Sequence, residues 1–284
     1  MNLMSQIVNG IALGAGYALL AVGWTVLLGA ARLVNFSQGQ LYMLGAFFTW
    51  HACTAWGLSY LVAVPVAVVG VSLLGLVLQL AMTRLTLKQD LVSLMLVTLA
   101  FGYMITGGAS IVFGGDPRQI PSPAVDERIS VAGGTLYMQD VIIIVCALVM
   151  YAVTWFVLSR TKAGHIVNGV AEDPQLARLY GINPAVVYLF VFVFAAASAG
   201  LAGAVIAPQH PILTSIGFEE VIITFLVVVL GGIGNILGGL ISGFGLGIFT
   251  ALFGAYVSPA YSMAAAFAVL LIFLAVRPEG LKKA

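Results

Sequence analysis

Long apolar runs follow one another along almost the whole chain, and they constrain its fold more than any other feature. Only 7% of the residues are charged, whereas a soluble domain has about 25%. The runs approach the ~20 residues that a helix needs to cross a bilayer, and they lack the alternation of membrane β-strands. The sequence therefore predicts an all-α, polytopic helical membrane protein with about eight or nine transmembrane segments in one domain, residues 1–284. The predicted segments are 6–28, 40–56, 60–82, 91–113, 139–158, 185–207, 219–230, 236–253 and 259–276.

The seventh segment is too short to cross a bilayer alone. A helix over 219–230 rises about 18 Å, against a hydrocarbon core of about 30 Å. Segments seven and eight, residues 219–253, are therefore either two tilted spans or a re-entrant pair. Both arrangements leave the direction of the other segments unchanged.

Basic residues predict which side of the membrane each loop faces. Nine of the 11 Lys and Arg residues fall on one side, which makes that side cytoplasmic. They are Arg32, Arg84, Lys88, Arg160, Lys162, Arg178, Arg277, Lys282 and Lys283, and the other side has Arg118 and Arg128. The N-terminus is then outside the membrane and the C-terminus is cytoplasmic. The longest outer loop, 114–138, contains three prolines and a Gly-Gly pair, which predict an ordered cap or a short hairpin.

The polar stretch 159–184 falls on the cytoplasmic side and contains its own helix signals. Asp173 precedes Pro174, which pairs a capping side chain with a residue that needs no N–H donor. Gly181 can end that helix in the left-handed conformation, and Asn183 before Pro184 starts the next apolar run. We predict a short helix over 174–180, standing alone at the membrane surface, where it would suit docking to a partner outside the membrane.

A polar break at residues 35–40 interrupts the first pair of apolar runs. Ser37 and Gln40 have the spacing of a capping box, which predicts reciprocal caps on the second helix. The break is either a plain cytoplasmic turn or a polar interruption that lines a solute path, as helix breaks do in transporters. On the second interpretation Asn35 and Gln38 line the path, and so does Thr224, a polar residue within an apolar segment.

Glycines are densest between residues 231 and 247. One interpretation is close helix packing, because glycines four residues apart share a helix face and let another backbone approach. The other is a hinge or a re-entrant tip beside the solute path. The residues concerned are Gly231, Gly232, Gly234, Gly239 and Gly243.

Motifs for catalysis or nucleotide binding are missing from the sequence. No Gly-Lys dipeptide occurs, so the phosphate-binding P-loop pattern is absent, and neither HExxH nor GxSxG is present. His51 and His165 have no metal-ligand spacing with any Cys or carboxylate. The acidic residues Glu219 and Glu220 fall at a predicted segment end, so we expect no charge deep in the membrane. The sequence predicts no enzyme, no metal site, no cofactor, no nucleic-acid partner and a carrier whose energy comes from elsewhere.

Several motifs together resemble the permeases of bacterial high-affinity branched-chain amino acid ABC transporters. They include Tyr17-Ala18-Leu19-x-Ala21-x-Gly23, Asn35-Phe36-Ser37-x-Gly39-x-x-Tyr42-Met43-x-Gly45-Ala46 and Val228-Val229-Leu230-Gly231-Gly232-Ile233-Gly234, with residues 171–183 and 196–203. The resemblance covers essentially the whole chain, in the family's order, and is greatest to the shorter of the two permease types. Where the family often has Ala-His after Asn-Phe, this chain has Ser37-Gln38.

The resemblance implies a transmembrane permease subunit of an importer, with a second permease, two cytoplasmic ATPases and an extracytoplasmic solute-binding protein as partners. ATP is then used by the partner subunits. Residues 171–181 look like the family's ATPase-contact loop, with Ala171, Glu172, Asp173, Pro174, Arg178 and Gly181 as the coupling residues. Permeases for urea and short amides share the pattern, and a secondary carrier or channel that works alone is the alternative from a different class.

Overall fold

A computed structural model describes residues 3–85, 91–125, 127–131 and 134–276. The helices are α1 (Leu3–Val26, continued by a π-helical turn, Leu27–Ala31), α2 (Gln38–Thr54), α3 (Tyr60–Leu85), α4 (Leu91–Phe113), α5 (Met138–Arg160), α6 (Lys162–Glu172), α7 (Pro174–Leu179), α8 (Pro184–Ile206), α9 (Ile216–Gly231), α10 (Ile236–Tyr256) and α11 (Ser262–Val276). Lys88, Arg277, Lys282 and Lys283, used above for orientation, lie outside the described residues.

Within those residues, six helices are long and apolar enough to cross a membrane. They are Leu3–Ala31, Tyr60–Thr83, Ser93–Phe113, Met138–Arg160, Pro184–Gln209 and Ile236–Tyr256. The remaining apolar helices α2, α9 and α11 have 17, 16 and 15 residues and are shorter. Each predicted apolar segment forms a helix, so the all-helical membrane architecture is confirmed.

Two helices form the centre of the bundle. In the most apolar part of each helix, 78% of the residues of α1 and 67% of those of α8 are buried. For α3, α4 and α5 the buried share is 22% or less. α1 packs against α5, α8, α9 and α10, and α8 packs against α2 and α3. α1 is therefore the central helix of the bundle. Its span, Leu3–Ala31, has 29 residues, and Tyr17 is the middle one.

Small residues bring α1 and α10 into close contact. A Cβ atom built on Gly243 would lie 2.8 Å from the Cα atom of Ala18, and one on Gly14 would lie 2.6 Å from the Cα atom of Phe244. A Cβ on Gly239 would lie 2.9 Å from the hydroxyl of Tyr151 in α5. Side chains are thus excluded from this seam by neighbouring backbone, as expected of small residues at membrane helix interfaces.

The turn between α9 and α10 is equally tight. Gly232 ends α9 with a φ of 91°, a conformation that residues with a Cβ rarely adopt. A Cβ on Gly231 would lie 2.6 Å from the amide nitrogen of Gly239, and one on Gly234 would lie 2.9 Å from the Cα atom of Gly29 in the π-helical turn. The turn therefore rests directly on the end of the α1 span.

The loop 114–138 contains a β-hairpin, which is one of the two forms predicted for it. Strands β1 (Arg128–Val131) and β2 (Gly134–Tyr137) pair in antiparallel register, with Ile129 opposite Leu136. Backbone hydrogen bonds of 3.0 and 2.7 Å also join Arg118 to Ile212, in the segment before α9. The loop is thereby fixed to the chain that leads into α9.

Two local predictions are wrong. Ser37 precedes α2, but its side chain makes no cap; its hydroxyl donates instead to Oδ1 of Asn35 at 2.6 Å, so no capping box with Gln40 forms. The surface helix is not alone either, because α6 comes immediately before it. Thr161 caps α6, since its hydroxyl accepts from the amide of Gly164 at 3.2 Å.

Candidate functional site

The polar stretch folds into two capped helices separated by a single residue. Asp173 ends α6 and begins α7, and its Oδ1 accepts hydrogen bonds from the amides of Gln175 at 2.8 Å and Leu176 at 3.0 Å. These are the otherwise unpaired N–H groups that an N-cap satisfies. The predicted helix start at Asp173–Pro174 is therefore confirmed.

The end of α7 is fixed by Gly181. Its φ is 79°, its amide donates to the carbonyl of Arg178 at 3.0 Å, and the amide of Ile182 donates to the carbonyl of Ala177 at 3.1 Å. This pair of bonds is the Schellman motif. Asn183 then caps α8, accepting from the amide of Ala185 at 3.1 Å.

One face of α7 is docked on the bundle and the rest is exposed. Ala177 is buried in a cluster with Val170 of α6 and Val187 of α8. Leu179 and Tyr180 are 84% and 79% exposed. Because the buried face reaches α8, a force on the exposed face has a direct route into the bundle.

Loss of the Asp173 cap should loosen α7. We expect Asp173→Ala to destabilise the helix by about 1 kcal/mol, because two amides lose their acceptor. Hydrogen–deuterium exchange of residues 174–180 should accelerate in this variant. Asp173→Asn keeps an acceptor oxygen and should exchange like the native chain; equal exchange in the Ala variant would show that the cap does not hold α7.

The polar stretch also borders a cavity of about 790 Å³. Ala171 and Glu172 of α6 line it together with Arg32, which follows the π-helical turn, and Gly234, in the turn between α9 and α10. Arg32 adopts a left-handed conformation with a φ of 51° and terminates the α1 span. Glu172 and Arg178 are both exposed. The structure thus brings Glu172 close to the glycine-rich turn, which the sequence did not predict.

The polar break is buried inside the bundle and ties neighbouring helices together. Oδ1 of Asn35 accepts from the amide of Ser37 at 3.0 Å, and Nε2 of Gln38 donates to the carbonyl of Ala195 in α8 at 2.7 Å. The amide of Phe36 donates to the hydroxyl of Thr98 in α4 at 3.2 Å. Thr224 is likewise buried, and its hydroxyl donates to the carbonyl of Glu220 at 2.6 Å. Asn35, Gln38 and Thr224 therefore have protein partners in this conformation.

The starts of α2 and α9 meet within the bundle. A Cβ on Gly217 would lie 2.8 Å from the carbonyl oxygen of Gly39, so the two backbones are in contact. The ring of Trp24 in α1 packs edge-on against Phe36 and Phe225, with centroids 6.3 and 6.1 Å away. Helix starts brought together in this way are typical of the interrupted helices around transporter sites.

Gln40 and Glu220 are among the polar side chains whose buried atoms the sequence did not predict. Gln40 is fully buried facing Gly102 of α4, and neither side-chain polar atom has a hydrogen-bond partner in the described parts of the chain. The Oε2 atom of Glu220 is also buried and unpartnered there. Glu220 lies in the second turn of α9, close to the predicted segment end, but it lines a cavity together with Tyr17, the middle residue of the α1 span. The short length of the seventh segment was the available signal, since a helix too short to cross can begin below the surface.

The sequence matches the family model of the branched-chain amino acid transport system permease component over residues 6–274. The chain belongs to this family. The matched range includes the polar break, helices α6 and α7, and the glycine-rich turn of the permease.

Individual relatives cover nearly the whole permease. A high-affinity branched-chain amino acid transport system permease protein, BraD of Pseudomonas aeruginosa, is 31% identical over 98% of this chain and 95% of its own. The corresponding LivH protein of Escherichia coli K12 is 31% identical over 98% and 94%. LivM of the same strain is 26% identical over 77% of this chain and 57% of its own. No solved structure matches the permease.

Proposed function

We propose that this chain is a transmembrane permease subunit of an ATP-binding-cassette importer for branched-chain amino acids. The observation that carries the proposal is the near-complete match to BraD and LivH, whose names describe permeases of high-affinity branched-chain amino acid systems. The exposed, capped helix α7 supports it further, because it presents a rigid surface to a partner outside the membrane.

The proposed assembly contains a second, different permease, two cytoplasmic ATPases and an extracytoplasmic solute-binding protein. The weaker likeness to LivM supports a pair of unlike permeases, since LivH and LivM of one organism both resemble this chain. ATP is bound by the ATPases, and the permease contributes the solute path.

In the proposed topology, the N-terminus is outside and the C-terminus cytoplasmic. The excess of basic residues on one side supports this orientation, which places loop 114–138 outside and α6–α7 in the cytoplasm. We propose nine transmembrane segments, with two crossing segments rather than a re-entrant pair for residues 219–253. α10 is long enough to span. The 16-residue α9 is shorter, and in this proposal the non-helical chain before it supplies the rest of the crossing.

In the proposed mechanism, closure of the ATPases pushes on α7. The buried contact of Ala177 with Val187 passes that displacement to α8, and α6 passes it to the π-helical turn against which it packs. The packed helices then rock between inward-open and outward-open states, as in other domain-closure transitions. Asn35, Gln38 and Thr224 lie along the proposed path, and Asn35 and Gln38 also hold the polar break in shape.

A double variant of the coupling helix tests this function. In proteoliposomes that contain the four membrane-associated subunits and the binding protein, Glu172→Lys with Leu176→Gly should leave ATP hydrolysis active and lower leucine uptake by about tenfold or more, as loss of an interface contact of about 2 kcal/mol does. Full uptake in the double variant would refute the coupling role.

The same proteoliposomes separate the importer from a carrier that works alone. Native uptake should require ATP and both ATPases. Uptake by this chain alone, driven by a solute gradient and indifferent to ATP, would instead identify a secondary carrier or channel.

A further inference from the structure

A cavity of about 750 Å³ opens between α1, α5, α9 and the chain that precedes α9. Its walls combine aliphatic side chains, among them Ile143, Ile206 and Ile223, with the polar residues Asn9, His210 and Glu220. A mainly apolar cavity with a few convergent polar groups is the usual form of a small-molecule site.

Glu220 has an unusual position in this cavity. Its Oε2 atom is buried and finds no hydrogen-bond partner within the described ranges of the chain. The carboxyl group lies within electrostatic range of the hydroxyls of Tyr17 in α1 and Tyr42 in α2, where those helices approach α9. An ionised carboxylate without a partner is strongly unfavourable in a membrane interior, so ionisation of this group calls for a cation beside it.

The other charged groups of the cavity do not provide that cation. Among its described lining residues there is no Lys or Arg. The second carboxylate, Asp140, is already satisfied: it accepts from Nε2 of Gln209 at 2.7 Å and from the amide of Tyr137 at 2.9 Å. Glu220 is therefore the acidic residue of the cavity whose acceptor atom, Oε2, has no hydrogen-bond donor among the described residues.

We propose that this cavity binds the transported solute through its ammonium group, with Glu220 as the acceptor. The inference rests on the proposed function and names the chemistry that the site selects. An ammonium group supplies three donors and a positive charge, which together replace the missing partner of Oε2. The branched aliphatic group then lies against the isoleucines, and Asn9 and His210 carry N–H groups for the solute carboxylate.

The proposal excludes urea and short amides as the preferred solutes at this site. These molecules are neutral, so they supply no positive charge to stabilise the ionised form of Glu220. A branched-chain amino acid supplies both the charge and the apolar surface. The permease itself then discriminates in favour of amines, in addition to any selection by a binding protein.

Protection of Glu220 from a carbodiimide tests the site without any transport step. The full chain carries Glu219→Gln, so that the exposed neighbouring carboxylate is removed, and is embedded in lipid nanodiscs without the binding protein. Dicyclohexylcarbodiimide labelling of Glu220 is followed by tandem mass spectrometry in the presence of four probes. They are L-leucine, 3-methylbutylamine, 4-methylpentanoate and urea.

L-Leucine and 3-methylbutylamine, which share an ammonium group, should each slow the labelling by about tenfold when present at about ten times their dissociation constants. 4-Methylpentanoate and urea should leave it unchanged. Protection by 4-methylpentanoate equal to that by leucine, or absence of protection by leucine, would overturn the ammonium site. ATP-dependent leucine uptake by the native importer would still stand in either case, so the two proposals fail separately.

Uptake by the reconstituted importer provides the second measurement. Glu220→Gln should lower leucine uptake by about ten- to hundredfold through loss of a charged hydrogen bond, whereas Glu219→Gln should stay within about twofold of the native rate. Native uptake in folded Glu220→Gln permease would also overturn the proposal. Thermal unfolding of the purified variant establishes that it is folded.

Discussion

We expect Gly243→Leu to destabilise the bundle severely. The first atom of the new side chain would lie 2.8 Å from both Cα and Cβ of Ala18 and 2.9 Å from its amide nitrogen. Backbone atoms cannot rotate away as a side chain can, so α10 would have to separate from α1, the most buried span. Overpacking of this kind destabilises by about 3 kcal/mol or more. The yield of monodisperse protein in detergent and its unfolding midpoint measure the effect.

Gly245 supplies the matched control on the same helix. It is exposed, and no atom lies within 4 Å of a Cβ built on it. Gly245→Leu should fold normally, with a gain of up to about 1 kcal/mol because leucine favours the helix more than glycine does. Equal behaviour of the two variants would contradict the proposed seam between α1 and α10.

Leu179→Glu should abolish assembly with the ATPases and therefore uptake. Leu179 is the most exposed apolar side chain of the coupling helix, at 84%, and a carboxylate there would have to enter the protein interface. Loss of a central apolar contact, with burial of an unpaired charge, weakens binding by several kcal/mol, or about a hundredfold or more. Copurification of the ATPases with the permease, and ATP-dependent uptake, are the two measurements.

Leu179→Met is the control for this substitution, because it conserves volume and apolar character. It should retain the ATPases and at least about half of the uptake. Both variants should unfold at the native temperature, since the side chain is exposed. An ATPase complex that survives Leu179→Glu would place the contact elsewhere on the chain.

Much of the fold was predictable because the signals are local. The apolar runs gave the helices, including α4 with its bounds at Leu91 and Phe113. Asp173, Gly181 and Asn183 gave the helix ends in the coupling segment, because a cap depends on residues only a few positions away. Likewise, the Pro- and Gly-containing loop 114–138 predicted the local order that the hairpin provides.

What the sequence did not predict has local and long-range causes. Ser37 fitted a capping box, yet Asn35 competes for its hydroxyl, and Gln38 is held by the distant Ala195. α6 was not predicted because it is a short helix of 11 residues within the polar stretch and lacks the long apolar run of the transmembrane helices. The cavity at Glu220 was not predicted because several helices form it together, and the sequence does not reveal which helices are neighbours.

The sequence by itself determined three things about this protein. It determined the apolar helices, the exposed capped segment, and the family, whose motifs follow in order along the chain. These properties depend on composition and on neighbours within one or two turns. The tertiary structure alone decided that α1 is central, that the starts of α2 and α9 meet, and that Glu220 lines a cavity. The physical reason is that burial and the pairing of polar atoms are set by which helices pack together, and that packing joins residues as far apart in sequence as Gly14 and Phe244.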